Sequence, residues 1–241
     1  MMTKGKLQLK ELKKIKILAV DTSGATLAAA IMENNEPIAF VNKNTGLTHS
    51  ETLMPEIIKL FEEAKLMASD IDYFVCANGP GSFTGLRIGI SAMKGLAHAV
   101  NKPMVEVGTL DGLYKTVEND CKIICPIIDA RREEVYSAVF KDGKKIMSDT
   151  AISLVTLTEF LKSLDGNVLF CGDGAIAYHD RIIEYMGTKA VFASDDKTLQ
   201  NSISVGLCGL EKIRNSKTVS YSDFSVQYIK PSQPEMKLNK K

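Results

Sequence analysis

The sequence has no tryptophan, only three histidines, no Cys-x-x-Cys pair and no long apolar run. Most of these shortages close off a class of function. His49, His98 and His179 include no i, i+4 pair, so a helical two-histidine metal site is absent. The five cysteines, at 76, 121, 125, 171 and 208, are odd in number and sit mostly in apolar stretches such as Tyr73-Phe74-Val75-Cys76, where they read as small core hydrophobes. Cys121 and Cys125 are one residue too far apart for a zinc or redox half-site, and no second pair follows them. The apolar run Ile15 to Val20 stops at Asp21, too short for a signal peptide or a membrane span, so a reduced, cytoplasmic location is expected.

Charge of one sign is also lacking, since 30 Lys plus Arg face 29 Asp plus Glu. Residues 1–16 hold six Lys and one Glu, and residues 230–241 four Lys and one Glu, which leaves 20 basic and 27 acidic side chains between them, a net of −7. A lone nucleic-acid binder shows a dense basic face, so any nucleic acid is expected to be met through a partner. The lysine-rich ends read as solvated tails.

What is present is an ordinary folding composition, 45% apolar and 24% charged over 241 residues, enough for one large domain or two small ones. Strand patterns at Ile15–Val20, Thr26–Met32 and Ile38–Asn42 are joined by short turns, which implies antiparallel pairing. Thr48-His49-Ser50-Glu51 matches a capping box, and Leu53, Ile57, Phe61 and Ala64 follow at helical spacing, with Met54 and Ile58 widening the stripe. A strand at Tyr73–Ala77 and a helix marked by Leu86, Ile90, Met93, Ala97 and Val100 complete the first half.

The second half repeats that order. It has strands at Ile123–Ile128, Glu134–Phe140 and Lys144–Ser148, a helix near Leu157–Leu164, a strand at Val168–Cys171 and a helix over Ile176–Met186. Asp142-Gly143 is a two-residue hairpin signal. Lys16-Ile17-Leu18-Ala19-Val20-Asp21 aligns with Ile124-Cys125-Pro126-Ile127-Ile128-Asp129, an internal duplication that predicts two α/β lobes meeting at a cleft, with a boundary near residues 101–108.

Gly79-Pro80-Gly81-Ser82-Phe83-Thr84-Gly85 lies between a strand and a helix, where backbone N–H groups suit an anion. It lacks the Gly-Lys-Ser/Thr of a P-loop and the third glycine of a dinucleotide fingerprint, so it reads either as a phosphate cradle or as a tight turn that needs glycine for backbone freedom alone. Asp21-Thr22-Ser23 in the first hairpin turn has hydroxyls and a carboxylate for phosphate and metal-bound water, and an ordinary Asx turn has the same residues. The equivalent turn Asp129-Ala130-Arg131-Arg132-Glu133 carries arginines where a phosphate-hugging hairpin would carry glycine. Those arginines fit an anionic surface or a partner carboxylate, or simple solvation. No catalytic set emerges.

Taken together, Ile17-Leu18-Ala19-Val20-Asp21-Thr22-Ser23, His49-Ser50-Glu51 with Leu53-Met54-Pro55, Asn78-Gly79-Pro80-Gly81-Ser82-Phe83-Thr84-Gly85-Leu86-Arg87-Ile88-Gly89 and Asp129-Ala130-Arg131-Arg132-Glu133-Glu134-Val135-Tyr136 resemble the TsaB (YeaZ) family of bacterial tRNA threonylcarbamoyladenosine biosynthesis proteins. The Gly-Pro-Gly-Ser-Phe-Thr-Gly-Leu-Arg run is the specific part. The likeness extends to Tyr228-Ile229-Lys230-Pro231, with Lys for the family's Arg.

The resemblance implies an α/β, two-lobed actin/hexokinase/Hsp70-like ATPase fold with duplicated βββαβα units. On the sequence it would divide as a basic extension 1–14, an N-terminal lobe 15–103, a C-terminal lobe 104–229 and a basic tail 230–241. It further implies a non-catalytic scaffold that binds a catalytic paralogue, TsaD, and the ATPase TsaE, and meets tRNA through the complex. Asp21, Thr22, Ser23, Gly79, Gly81, Ser82, Thr84 and Gly85 would then be a vestigial nucleotide site, and Asp129, Arg131 and Arg132 a hairpin that departs from a working second phosphate loop. No cofactor and no metal are implied for this chain itself, with ATP and Mg at the level of the complex.

The family's association surface implies partner contacts by His49, Leu53, Ile57, Phe61, Arg87, Ile90 and Met93, to the paralogue or to a second copy when the chain is alone. A core stripe has the same period, so the lobe interior is the competing assignment for most of them. Two other activities compete with the scaffold: a free-standing ATP-dependent kinase of the same fold, favoured by Asp21 and the Gly-rich turn, and a metallopeptidase, which would need the zinc site that the histidine spacing lacks.

Overall fold

The computed structural model describes residues 14–229 apart from 45 and 47, so the extension at 1–14, Lys14 excepted, and the tail at 230–241 lie outside the described residues. In the first half β1 (Lys16–Asp21), β2 (Leu27–Glu33) and β3 (Glu36–Lys43) pair antiparallel through short turns. Two helical crossovers, α1 (His49–Ala64) and α2 (Phe83–Ala99), then bring β4 (Tyr73–Gly79) and β5 (Met104–Gly108) in parallel, giving the order β3-β2-β1-β4-β5.

After α3 (Thr109–Thr116) the pattern returns as β6 (Ile123–Asp129), β7 (Glu134–Lys141), β8 (Lys144–Ser153), α4 (Leu154–Lys162), β9 (Val168–Cys171), α5 (Asp173–Ala177), α6 (His179–Met186) and β10 (Ala190–Phe192). The second sheet reads β10-β9-β6-β7-β8, the first order taken from the other end. A short α7 (Asp195–Thr198) and α8 (Ser202–Arg214) follow.

Period-two alternation places each sheet between two cores. From β1, Leu18 and Val20 meet Leu53, Ile57, Phe74 and Met93 under α1 and α2, while Ile17 and Ala19 face Val205 and Leu210 of α8. Burial of side chains such as Leu53 or Phe74 contributes about 1.5–3 kcal/mol each. In the second lobe Leu110, Leu113 and Tyr114 of α3 cover Ile124, Ile128 and Phe140, and the opposite face packs on α4, α5 and α6. Cys76, Cys125, Cys171 and Cys208 are buried with thiols pushed up by burial, which is the core role their apolar neighbours predict.

The division at 103/104 needs correction. β5 belongs to the first sheet, α8 packs on that sheet although it follows the second, and Val219 and Phe224 also return to the first lobe. Conversely α3, which follows the first sheet, covers the second. Each lobe is thus completed by a helix that leaves the other one, and α3 and α8 pack together between them, with Thr116 Oγ1 donating to Ser204 Oγ at 3.0 Å.

Local signals hold in detail. Asp142 (φ 47°) and Gly143 (φ 77°) form the tight turn between β7 and β8. At the start of α1 the Glu51 carboxylate takes the Thr48 N–H at 3.3 Å and its hydroxyl at 2.6 Å. The single helix expected over Ile176–Met186 is instead two, broken at Tyr178 (φ −115°, ψ 19°).

Candidate functional site

The C-terminal ends of β1 and β4 bring the first hairpin turn and the Gly-rich turn into contact. Asp21 is buried and its Oδ1 accepts the Ser23 N–H at 2.7 Å, an Asx turn. Burial raises the Asp21 carboxyl above its ordinary 3.8, with the Ser23 bonds and His49 opposing. The Thr22 hydroxyl donates to Gly85 O at 2.7 Å and the Ser82 N–H donates to Ser23 O at 2.7 Å. Ser82 Oγ caps α2 by accepting the Gly85 N–H at 3.2 Å.

Glycine is required here by close approach: a Cβ on Gly85 would collide with Thr22 O, and one on Gly81 with Ser23 O. Gly79 lies at φ +120°, its backbone against Gln227 O. Thr84 is exposed on the first turn of α2. The predicted phosphate-binding groups are therefore brought together, but the Thr22 and Ser82 hydroxyls, the Ser82 N–H and the Gly85 N–H and C=O spend their hydrogen bonds within these two turns.

Behind this contact lies a polar cluster that sequence reasoning did not find. Gln200 is 4% exposed, its carboxamide lies against Gly24, and both its polar atoms lack a partner. Thr26 Oγ1, Ser202 Oγ and His49 Nδ1 are likewise buried and unpaired, while His49 Nε2 stands 2.7 Å from Gly24 O. A lone glutamine in a loop carries no motif, and only the fold sets residue 200 beside residue 24.

In the second lobe Asp129 Oδ1 accepts the Arg131 N–H at 2.8 Å, the counterpart of the Asp21 turn. It also takes the Tyr178 hydroxyl at 2.7 Å, while the Asp129 N–H donates to Asp173 Oδ1 at 3.1 Å. Burial, with Asp129 nearby, raises Asp173, and burial with the Asp129 bond pushes Tyr178 up to about 12. Arg131, Arg132 and Glu133 are exposed and all left-handed, at φ 70°, 58° and 59°. Tyr178 was legible only as a residue inside a longer helix.

The helix-face residues divide. Leu53, Ile57, Ile90 and Met93 are no more than 5% exposed and belong to the core under the first sheet, so the expectation that they meet a partner is corrected. Phe61 packs half-buried on the same core, and His49 is held at the hairpin turn. The exposed residues one step round the helices are Met54 (39%) and Ile58 (54%) on α1, with Arg87 and the half-buried Ile88 on α2. An open groove of about 440 Å³ on α2 is lined by Phe83, Thr84, Arg87, Ile88 and Ser91. Arg87 lies over the Phe83 ring at 3.7 Å and donates through Nε to Tyr228 Oη at 3.1 Å.

Among the described residues no group of three or more His, Cys, Asp or Glu is placed to hold a metal ion, and no helix is long and apolar enough to cross a membrane.

Comparison with known proteins bears on this arrangement. The family profile described as TsaD, tRNA N6-adenosine threonylcarbamoyltransferase, matches residues 14–223. The tRNA threonylcarbamoyladenosine biosynthesis protein TsaB of Bacillus subtilis (strain 168) is 32% identical over 204 residues, 81% of this chain and 87% of that protein. TsaB of Escherichia coli (strain K12) is 29% identical over 178 residues, 69% of this chain and 74% of its own. The solved structure of YeaZ from Pseudomonas aeruginosa superposes with a TM-score of 0.74 at 22% identity, over 89% of this chain and 99% of that one. A ROK hexokinase from Thermus thermophilus shares the fold at a TM-score of 0.51 and 10% identity, over 83% of this chain and 100% of that one.

Proposed function

The chain belongs to the TsaD family, among its TsaB members, and on that premise we propose that it is a non-catalytic scaffold in the biosynthesis of threonylcarbamoyladenosine in tRNA. It binds a TsaD-like catalytic paralogue, works with a TsaE-like ATPase, and meets tRNA through that complex in the cytoplasm. ATP and Mg act at the level of the complex.

The observation that carries this reading is the face of α1 and α2. Met54 and Ile58 are exposed on α1 and Ile88 lines the Arg87 groove on α2, on helices whose inward stripe is already used by the core. The internally bonded turns at Thr22 and Gly85 support a nucleotide site that no longer works, since the Thr22–Gly85 and Ser82–Ser23 bonds occupy a hydroxyl and an N–H that a phosphate would otherwise use.

Charge reversal at Glu56 or Lys94 is a poor test of the face, because Glu56 pairs with Lys43 and Lys59, and Lys94 donates to Phe224 O. Ile58→Glu is the better one. Titration of the purified TsaD-like paralogue should bind the wild type and lose at least about tenfold with Ile58→Glu, the loss of a buried apolar anchor. Equal binding by both would overturn the helix-face reading. Tight magnesium-ATP binding by the chain alone, with no paralogue binding, would favour the kinase reading instead.

A further inference from the structure

We infer that Tyr228 is a positioning residue for partner binding, holding the Arg87 guanidinium over the Phe83 ring in one wall of the groove on α2. This rests on the helix-face reading above.

Beyond α8 the chain is laced across the first lobe. Val219 and Met104 exchange backbone hydrogen bonds at 2.9 Å, and Phe224 is buried in the first core. The Ser225 N–H donates to Glu106 Oε1 at 2.9 Å, and the Gln227 N–H to Asn78 O at 2.8 Å. With residue 227 tied to the end of β4, the next side chain reaches the start of α2. The Tyr228 and Phe83 rings stack with centroids 5.2 Å apart and planes at 28°. Arg87, one turn along α2, closes the set by covering Phe83 and donating to the Tyr228 hydroxyl.

An arginine on an exposed helix surface otherwise samples many rotamers, and a partner must immobilise it on binding. Tyr228 removes part of that cost beforehand, because its ring and its hydroxyl each favour the same Arg87 conformer. Its effect on affinity therefore runs through Arg87 and not through a contact of its own.

The test is titration of the purified TsaD-like paralogue into the full chain, comparing wild type with Tyr228→Ala, Tyr228→Phe, Arg87→Ala and the double variant Tyr228→Ala/Arg87→Ala, and with Ile58→Glu for the face itself. Tyr228→Ala should weaken binding about tenfold, the scale of one stacked aromatic with its cation. Tyr228→Phe keeps the stack and should recover most of that loss. The double variant should bind no more weakly than Arg87→Ala alone. If Tyr228→Ala is as harmful on the Arg87→Ala background as on the wild type, Tyr228 touches the partner directly and positioning is overturned. Unchanged binding by Tyr228→Ala, with Ile58→Glu still disruptive, overturns this inference alone, whereas full binding by Ile58→Glu removes the helix-face reading and this inference with it.

Discussion

The two hairpin turns at Asp21 and Asp129 occupy the same place in the duplicated unit and begin identically, each aspartate accepting the N–H of the residue two further on. From there they diverge. The first turn is buried, touches the Gly-rich turn through glycines that leave no room for a Cβ, and has Gln200 against it. The second is exposed, carries two arginines and a glutamate in left-handed conformations, and is tied from behind by Tyr178 and, through Glu133, by Arg181. One turn has become interior packing and the other surface. Duplication preserved the backbone device at both strand ends, while the residues at the tip of the turn differ, glycine against Gln200 in the first lobe and exposed arginines in the second.

That contrast can be broken most sharply at the packed turn. Gly85→Ala drives a Cβ into Thr22 O and should cost about 3 kcal/mol, read from the urea midpoint, at the upper end of overpacking penalties. A variant as stable as the wild type would mean that the turns are not locked together as described.

A smaller effect concerns charge. The folded Asp21 holds its proton more tightly than the unfolded chain does, so its favourable contribution is complete below the ordinary 3.8 and is lost as pH rises through the higher folded value. Asp21→Asn still offers an oxygen to the Ser23 N–H, so it should flatten the decline in stability above about pH 4. Identical pH profiles of the urea midpoint for the two proteins would argue against a buried, proton-retaining carboxyl.

The smallest change belongs to the exposed turn. Arg131→Gly relieves a left-handed residue but adds freedom to the unfolded chain, and should move stability by under about 1 kcal/mol, in the stabilising direction. Loss of stability there would show that the arginine side chain supports the turn.

Much of the fold is legible in short-range patterns. The two βββαβα runs, the Asp142-Gly143 turn and the capping sequence at Thr48 each depend on residues a few positions apart. The candidate site is legible only in part. Asp21, Gly85 and Asp129 stand out by their turn chemistry, but Gln200 and Tyr178 act across 176 and 49 residues, and nothing local marks them. The helix face shows the same limit. Leu53 with Ile57, and Met54 with Ile58, follow one helical period, and burial separates core from surface.

Order along the chain, the duplication and the absence of a helical two-histidine site are properties of the sequence alone, because periodicity and spacing are carried by neighbouring residues. Which lobe each of α3, α8 and the segment through Tyr228 completes, and which apolar stripe remains for a partner, was decided by the tertiary structure. Those outcomes depend on which distant surfaces exclude water together, a contest among long-range contacts that local pattern does not encode.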